Sequence, residues 1–251
     1  MPRAWNCFSM ILALTALTAC GSNSAAPTKA PGFRSEITNG PETSGMNEAT
    51  PAVTNYTAIT AQLLAAAEPF ESLTETAFSA TPAARWKAID DAEKAAKGIA
   101  DIVPHTISIK LADHLMAVRS ANAAEKPADV ALASIEGFRT LVSAVPGSPA
   151  IPVDVSLLDY AGFRYDADAQ ASPARWEDMA SAMAFARDRW SAVRSRPAIA
   201  SLAPRFETLL TDMEAAVSTR NLSHARASAK AELDMVDELE TAFQHAGSSK
   251  P

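Results

Sequence analysis

The stretch Ser172–Arg194, SPARWEDMASAMAFARDRWSAVR, decides the fold class. Trp176, Met179, Met183, Ala186, Trp190 and Val193 recur in it at alternating intervals of three and four residues. At 3.6 residues per turn that spacing gathers them into one stripe about 100° wide, which predicts a helix facing a partner helix. Ser172 and Pro173 stand where a hydroxyl cap and a first-turn proline would open it, so the expected span is 173–194.

The same signals recur along the chain from about residue 57, and no segment alternates as a strand does. They predict an all-α bundle of eight helices, at about 57–79, 82–103, 107–123, 127–145, 153–170, 173–194, 201–219 and 222–245. Pro69 is expected to kink or split the first of them. The two halves also resemble each other. Ala80-Thr81-Pro82-Ala83-Ala84-Arg85-Trp86 returns as Ala171-Ser172-Pro173-Ala174-Arg175-Trp176, with the tryptophans 90 residues apart. Leu111, Leu115 and Val118 match Phe206, Leu210 and Met213 at an offset of 95, and Ile135 and Phe138 match Val236 and Leu239 at 101. The offset grows only across loops, as insertions after a duplication would produce. Two four-helix units are expected, 56–147 and 148–247.

Ahead of the helices, residues 20–55 are rich in Ser, Thr, Pro, Gly and Asn and carry almost no periodic apolar residues, so they read as a flexible tether. Such a tether would reach on the order of 30 Å. Arg3 followed by the apolar run Phe8–Leu17 reads as a signal peptide, since the run falls short of the roughly 20 residues a membrane span needs. The run ends in Leu17-Thr18-Ala19-Cys20-Gly21. This resembles the lipobox of bacterial lipoproteins. The resemblance covers residues 1–21 and implies removal of residues 1–19, acylation of Cys20, and a lipid anchor as the contact with the membrane. Gly21 after the cysteine is similar to the outer-membrane default of Gram-negative lipoproteins, which implies a protein facing the periplasm. Cys7 would leave with the signal, and a chain whose remaining thiol is acylated has no disulfide, thiolate nucleophile or cysteine-held metal.

Composition excludes several function classes. Only 9 glycines occur, four of them before residue 46, so no Gly-rich loop can wrap phosphates. A net charge of −7 with no basic run opposes nucleic-acid binding. No histidine lies in a nucleophile turn or a His-Glu-x-x-His motif, and the pairs Asp90-Asp91 and Asp234-Asp237 read as solvated faces, so no catalytic residue is named and no enzyme is expected.

The densest local cluster is Leu157–Asp166, LLDYAGFRYD, which holds three of the chain's 16 aromatic residues and two of its three tyrosines. On a helix, Leu157, Tyr160 and Arg164 share one face, while Leu158, Gly162 and Tyr165 share another where Gly162 permits close backbone approach. Two readings stay open. Arg164 reads either as a brace to Asp168 stacked on Tyr160, or as part of a binding wall in which it meets an anionic or planar ligand while Tyr160 and Asp159 orient that ligand. The expected role is therefore a non-enzymatic binding or scaffolding module for a periplasmic protein or a small anionic ligand, with no cofactor. The alternative is copper or iron handling through Met and His. Against it, Met179 and Met183 fall on the core stripe, His105 and His114 point about 180° apart, His224 and His245 sit near helix ends, and no Glu-x-x-His pair occurs, so no metal ligand is named.

Overall fold

Eight α-helices and one short 3₁₀ turn account for the regular structure that the computed structural model describes, over residues 51–248, with side chains described for 56–247. The helices are α1 (Pro51–Thr76), α2 (Pro82–Gly98), α3 (His105–Ala123), α4 (Pro127–Val142), α5 (Val153–Gln170), α6 (Trp176–Val193), α7 (Ala203–Ser218) and α8 (Leu222–Ser248). No strand occurs among the described residues, so the all-helical expectation holds. The signal peptide, Cys20 and the tether as far as residue 50 lie outside the described residues.

Two helices depart from expectation for identifiable reasons. α1 starts at Pro51, a residue suited to the first helical position, and it runs through Pro69 without a break. The carbonyl that Pro69 leaves without an N–H partner belongs to Ala65, which lies on the exposed face, so solvent can satisfy it. α6 begins at Trp176 rather than Pro173. There the Arg175 N–H donates back to the Asp168 carbonyl at 3.0 Å, which assigns 171–175 to the turn closing α5; the Ser172–Pro173 peptide is cis. The matching site in the first half does cap as expected, with Thr81 Oγ1 accepting from the Ala84 N–H at 3.2 Å ahead of α2.

The two halves share an order of neighbours. α1 packs on α2 and α4, and α3 closes the ring between them; α5 packs on α6 and α8, and α7 closes the second ring. The turns between the third and fourth helices of each ring are alike as well. Glu125 (φ 55°) and Arg220 (φ 50°), 95 residues apart, adopt the left-handed conformation, and Lys126 N–H and Asn221 N–H reach back to the carbonyls of Ala121 and Ala216 at 3.0 and 2.9 Å. This pairing of a left-handed residue with a six-to-one bond is the Schellman ending of a helix.

Each ring brings two helices close by means of one glycine. In the first, the Phe70 ring of α1 lies so near Gly137 of α4 that a Cβ there would overlap it. In the second the glycine has changed sides: Gly162 of α5 receives Glu232 and Leu233 of α8, whose Leu233 Cδ2 stands 2.8 Å from where a Cβ would be.

The described residues fall in one compact unit, and its apolar packing crosses the boundary between the halves. α5 carries the join. Twelve of its 18 residues are buried. Val155, Leu158, Ala161 and Tyr165 pack with Met179, Trp190 and Phe206 of the second half. Leu157, Tyr160 and Phe163 pack with Leu63, Phe70, Ile135 and Phe138 of the first, together with Leu233 from α8. Ion pairs also span the join, from Arg164 on α5 to Glu136 on α4, and from Arg175 to Asp129 on α4.

Candidate functional site

Because α5 is enclosed by α4, α6 and α8, its polar residues face either a neighbouring helix or a narrow opening between helices. Tyr160 is 1% exposed, and its hydroxyl donates to Glu136 Oε1 at 2.7 Å. Arg164, one turn later, donates through Nη1 to the same carboxylate oxygen at 2.7 Å and to the Tyr160 hydroxyl oxygen at 2.8 Å. Arg139 closes the group from α4. Its Nε lies 3.1 Å from Glu136 Oε2, and its guanidinium sits 5.2 Å over the Tyr160 ring. Burial, reinforced by the Glu136 carboxylate, raises the Tyr160 hydroxyl above its ordinary pKa, so it stays a neutral donor. Burial works against the charge of Arg164, but Tyr160 and Glu136 more than offset it and hold the guanidinium above its ordinary value.

In front of this group is a cleft of about 310 Å³ where α3, α4, α5 and α6 meet. It is lined by Ile107 and Lys110 of α3, Arg139 and Thr140 of α4, Leu157 of α5, and Phe185 and Arg189 of α6, with Ser143 at its edge. Phe185 packs edge-on against Tyr160 with ring centroids 5.2 Å apart, and Arg189 lies 5.3 Å over the Phe185 ring. Arg189 is held by Asp154 at 3.0 Å and by Asp188. These stacked guanidinia place positive charge around an apolar floor, on a chain whose net charge is −7.

The structure brings Tyr160 and Arg164 together and sets both one layer behind the cleft wall. Asp159 is buried at 5% exposure, one residue and so about 100° around the helix from Tyr160. The expected local brace from Arg164 to Asp168 is not the arrangement found: Glu136, delivered from α4, takes the guanidinium, and both Asp168 oxygens are buried without a hydrogen-bond partner. Lys110, Arg139, Phe185 and Arg189 did not stand out in the sequence. They come from three helices, and no local spacing links them.

Met179 and Met183 are buried in the core with Trp190. His114 Nε2 lies 3.2 Å from Thr140 Oγ1, and burial lowers its pKa. Asp90, Asp91 and Asp234 sit on helix exteriors in ion pairs with Arg119, Lys87 and Lys230. Among the described residues no three His, Cys, Asp or Glu side chains converge as a metal site.

Two predictions arise here. Arg164→Ala should lower stability by about 1–2 kcal/mol in urea denaturation, since it removes a charged hydrogen bond while Arg139 and Tyr160 still satisfy Glu136. Stability equal to the parent would mean that the Arg164 bonds contribute nothing. The second concerns Asp168, which is 1% exposed and whose carboxyl is pushed up to about 7 by burial, with Asp178 adding to the shift. In the unfolded chain the same carboxyl ionises near 4, so between the two values the native state holds a proton that the unfolded chain has lost. Raising the pH through that window therefore destabilises the fold, and the loss is complete above about pH 7. Asp168→Asn should gain on the parent between pH 5 and pH 8 by an amount on the order of 1–3 kcal/mol. Parallel stability curves for the two proteins would refute it.

Comparison with protein-family models, with characterised proteins and with solved structures found no match for this chain.

Proposed function

We propose that this chain is a non-enzymatic, lipid-anchored binding or scaffolding module, held by acylated Cys20 at the bacterial outer membrane and facing the periplasm. Its ligand or partner meets the opening between α3, α4, α5 and α6, in front of Tyr160 and Arg164. The observation that carries this reading is the cleft itself: three cationic side chains and a phenylalanine around one small opening, braced from behind by Tyr160, Glu136 and Arg164, on an acidic chain. A solvated surface does not require two guanidinia stacked on adjoining rings, whereas a recognition site gains from such pre-orientation. The lipobox resemblance at Leu17–Gly21 supports the anchor. None of the described helices is long and apolar enough to cross a membrane.

Two experiments test the two parts of the reading. Cys20→Ser should abolish lipid modification and move the protein out of the membrane fraction; a variant that matured normally and stayed with membranes would refute the anchor. Mass spectrometry of molecules that co-purify with the native protein, and of partners captured by a photo-cross-linker at Ser143, should return a defined species. Recovering none from either would refute the binding module.

A further inference from the structure

We infer that the cleft between α3, α4, α5 and α6 is a binding site for a small aromatic organic acid, whose anionic group meets Lys110, Arg139 and Arg189 and whose ring lies against Phe185 and Leu157. The inference deepens the binding-module reading and rests on it. Charge comes first. The cleft lining holds three cations and no carboxylate, because Glu136, Asp154 and Asp188 engage the arginines without themselves lining the opening. Lys110 is exposed and forms no ion pair among the described residues, so a positive charge at the lip is left for a ligand. The exposed Ser143 adds a hydroxyl that can donate to the same anionic oxygens, whereas the Thr140 hydroxyl already donates to the Glu136 carbonyl at 2.9 Å.

The apolar part of the lining then narrows the class. Ile107 and Phe185, both part-exposed, would be left facing water by a bare inorganic anion, but a ring would cover them and reach the buried Leu157 behind. Arg139 and Arg189 already lie over Tyr160 and Phe185, so a flat ligand extends an existing alternation of rings and guanidinia. Size sets the limit. A cleft of about 310 Å³ sits at the lower end of the roughly 300–1,000 Å³ typical of small-molecule sites, which suits one compact ligand.

The test uses three probes on the purified protein. 1-Anilinonaphthalene-8-sulfonate is an aromatic anion, N-phenyl-1-naphthylamine is its neutral counterpart, and inorganic phosphate is an anion with no ring. The sulfonate should bind saturably, one per chain, at least tenfold more tightly than the neutral amine, and more weakly as salt rises. Lys110→Glu and Arg139→Gln should each weaken it at least fivefold. Lys94→Glu, which makes the same charge change at an exposed position on α2, should leave it unchanged. Lys110 is exposed, so its variant keeps the test decisive even if Arg139→Gln disturbs the packing on Tyr160. The inference is overturned if the neutral amine binds equally well, if phosphate displaces the sulfonate at matched concentration, if Lys110→Glu binds like the parent, or if no saturable binding is seen. Should the sulfonate fail while a cross-linker at Ser143 captures a defined partner, the ligand class falls and the binding module stands.

Discussion

Trp190→Ala should lose about 3–5 kcal/mol of stability, enough to remove much of the margin of a domain of this size. Trp190 is 2% exposed at the centre of the second core, and its ring lies 4.5 Å from that of Phe206 at 37°. Truncation leaves a cavity that the neighbouring helices can close only in part, so the transfer and cavity terms add. The lost hydrogen bond contributes less. Trp190 Nε1 donates to Glu207 Oε2 at 2.6 Å, but Glu207 is half exposed and is also held by Arg187 at 2.6 Å, so no acceptor is stranded. Trp190→Phe should therefore recover most of the loss, because it restores ring volume without the N–H. Urea denaturation monitored by circular dichroism measures both. An alanine variant as stable as the parent would remove Trp190 from the core stripe.

Gly137→Ala should destabilise by about 1–3 kcal/mol although helix propensity alone favours alanine by roughly 1 kcal/mol. Two effects of opposite sign compete at this position. The new methyl would overlap the Phe70 ring, which is 0% exposed and pinned from several directions, so neither the ring nor the backbone can move away cheaply. Ser134 donates to the Phe70 carbonyl at 2.7 Å, which further fixes α1 against α4. Gly98→Ala supplies the contrast. A Cβ at Gly98 meets nothing within 4 Å, so alanine there should be neutral or stabilising by about 0.5 kcal/mol. Phe70→Leu should also show favourable coupling to Gly137→Ala in a double-mutant cycle, since the smaller side chain makes room for the methyl. Equal effects at Gly137 and Gly98 would show that α1 and α4 do not approach as described.

The amino-acid sequence by itself determined the helical class and the eight segments, because a 3.6-residue apolar period is a local property that any ordered packing of this chain must respect. It determined the stripe of α6 for the same reason: Met179, Met183, Ala186, Trp190 and Val193 are buried, while Trp176, the first residue of the helix, is only partly so. The likeness between Thr81-Pro82 and Ser172-Pro173 was legible as well, but not its outcome. One capped a helix and the other entered a turn, since the Asp168 carbonyl competes for the Arg175 N–H. Gly162 could be read as a point of close approach, while Gly137 could not, because only the position of Phe70 on another helix gives it that task. The dense cluster at Leu157–Asp166 falls on α5, which packs with both halves, but its partners were out of reach of the sequence. Arg164 has Asp168 one turn away and Glu136 28 residues away, and it is the distant carboxylate that reaches it. The cleft is the extreme case. Lys110, Arg139 and Arg189 each look like an ordinary surface charge in their own helix, and they become one positive rim only when α3, α4 and α6 are set around α5. Helical period acts over a few residues and survives in the linear sequence, whereas charge acts through space, and space is defined only once the helices have packed.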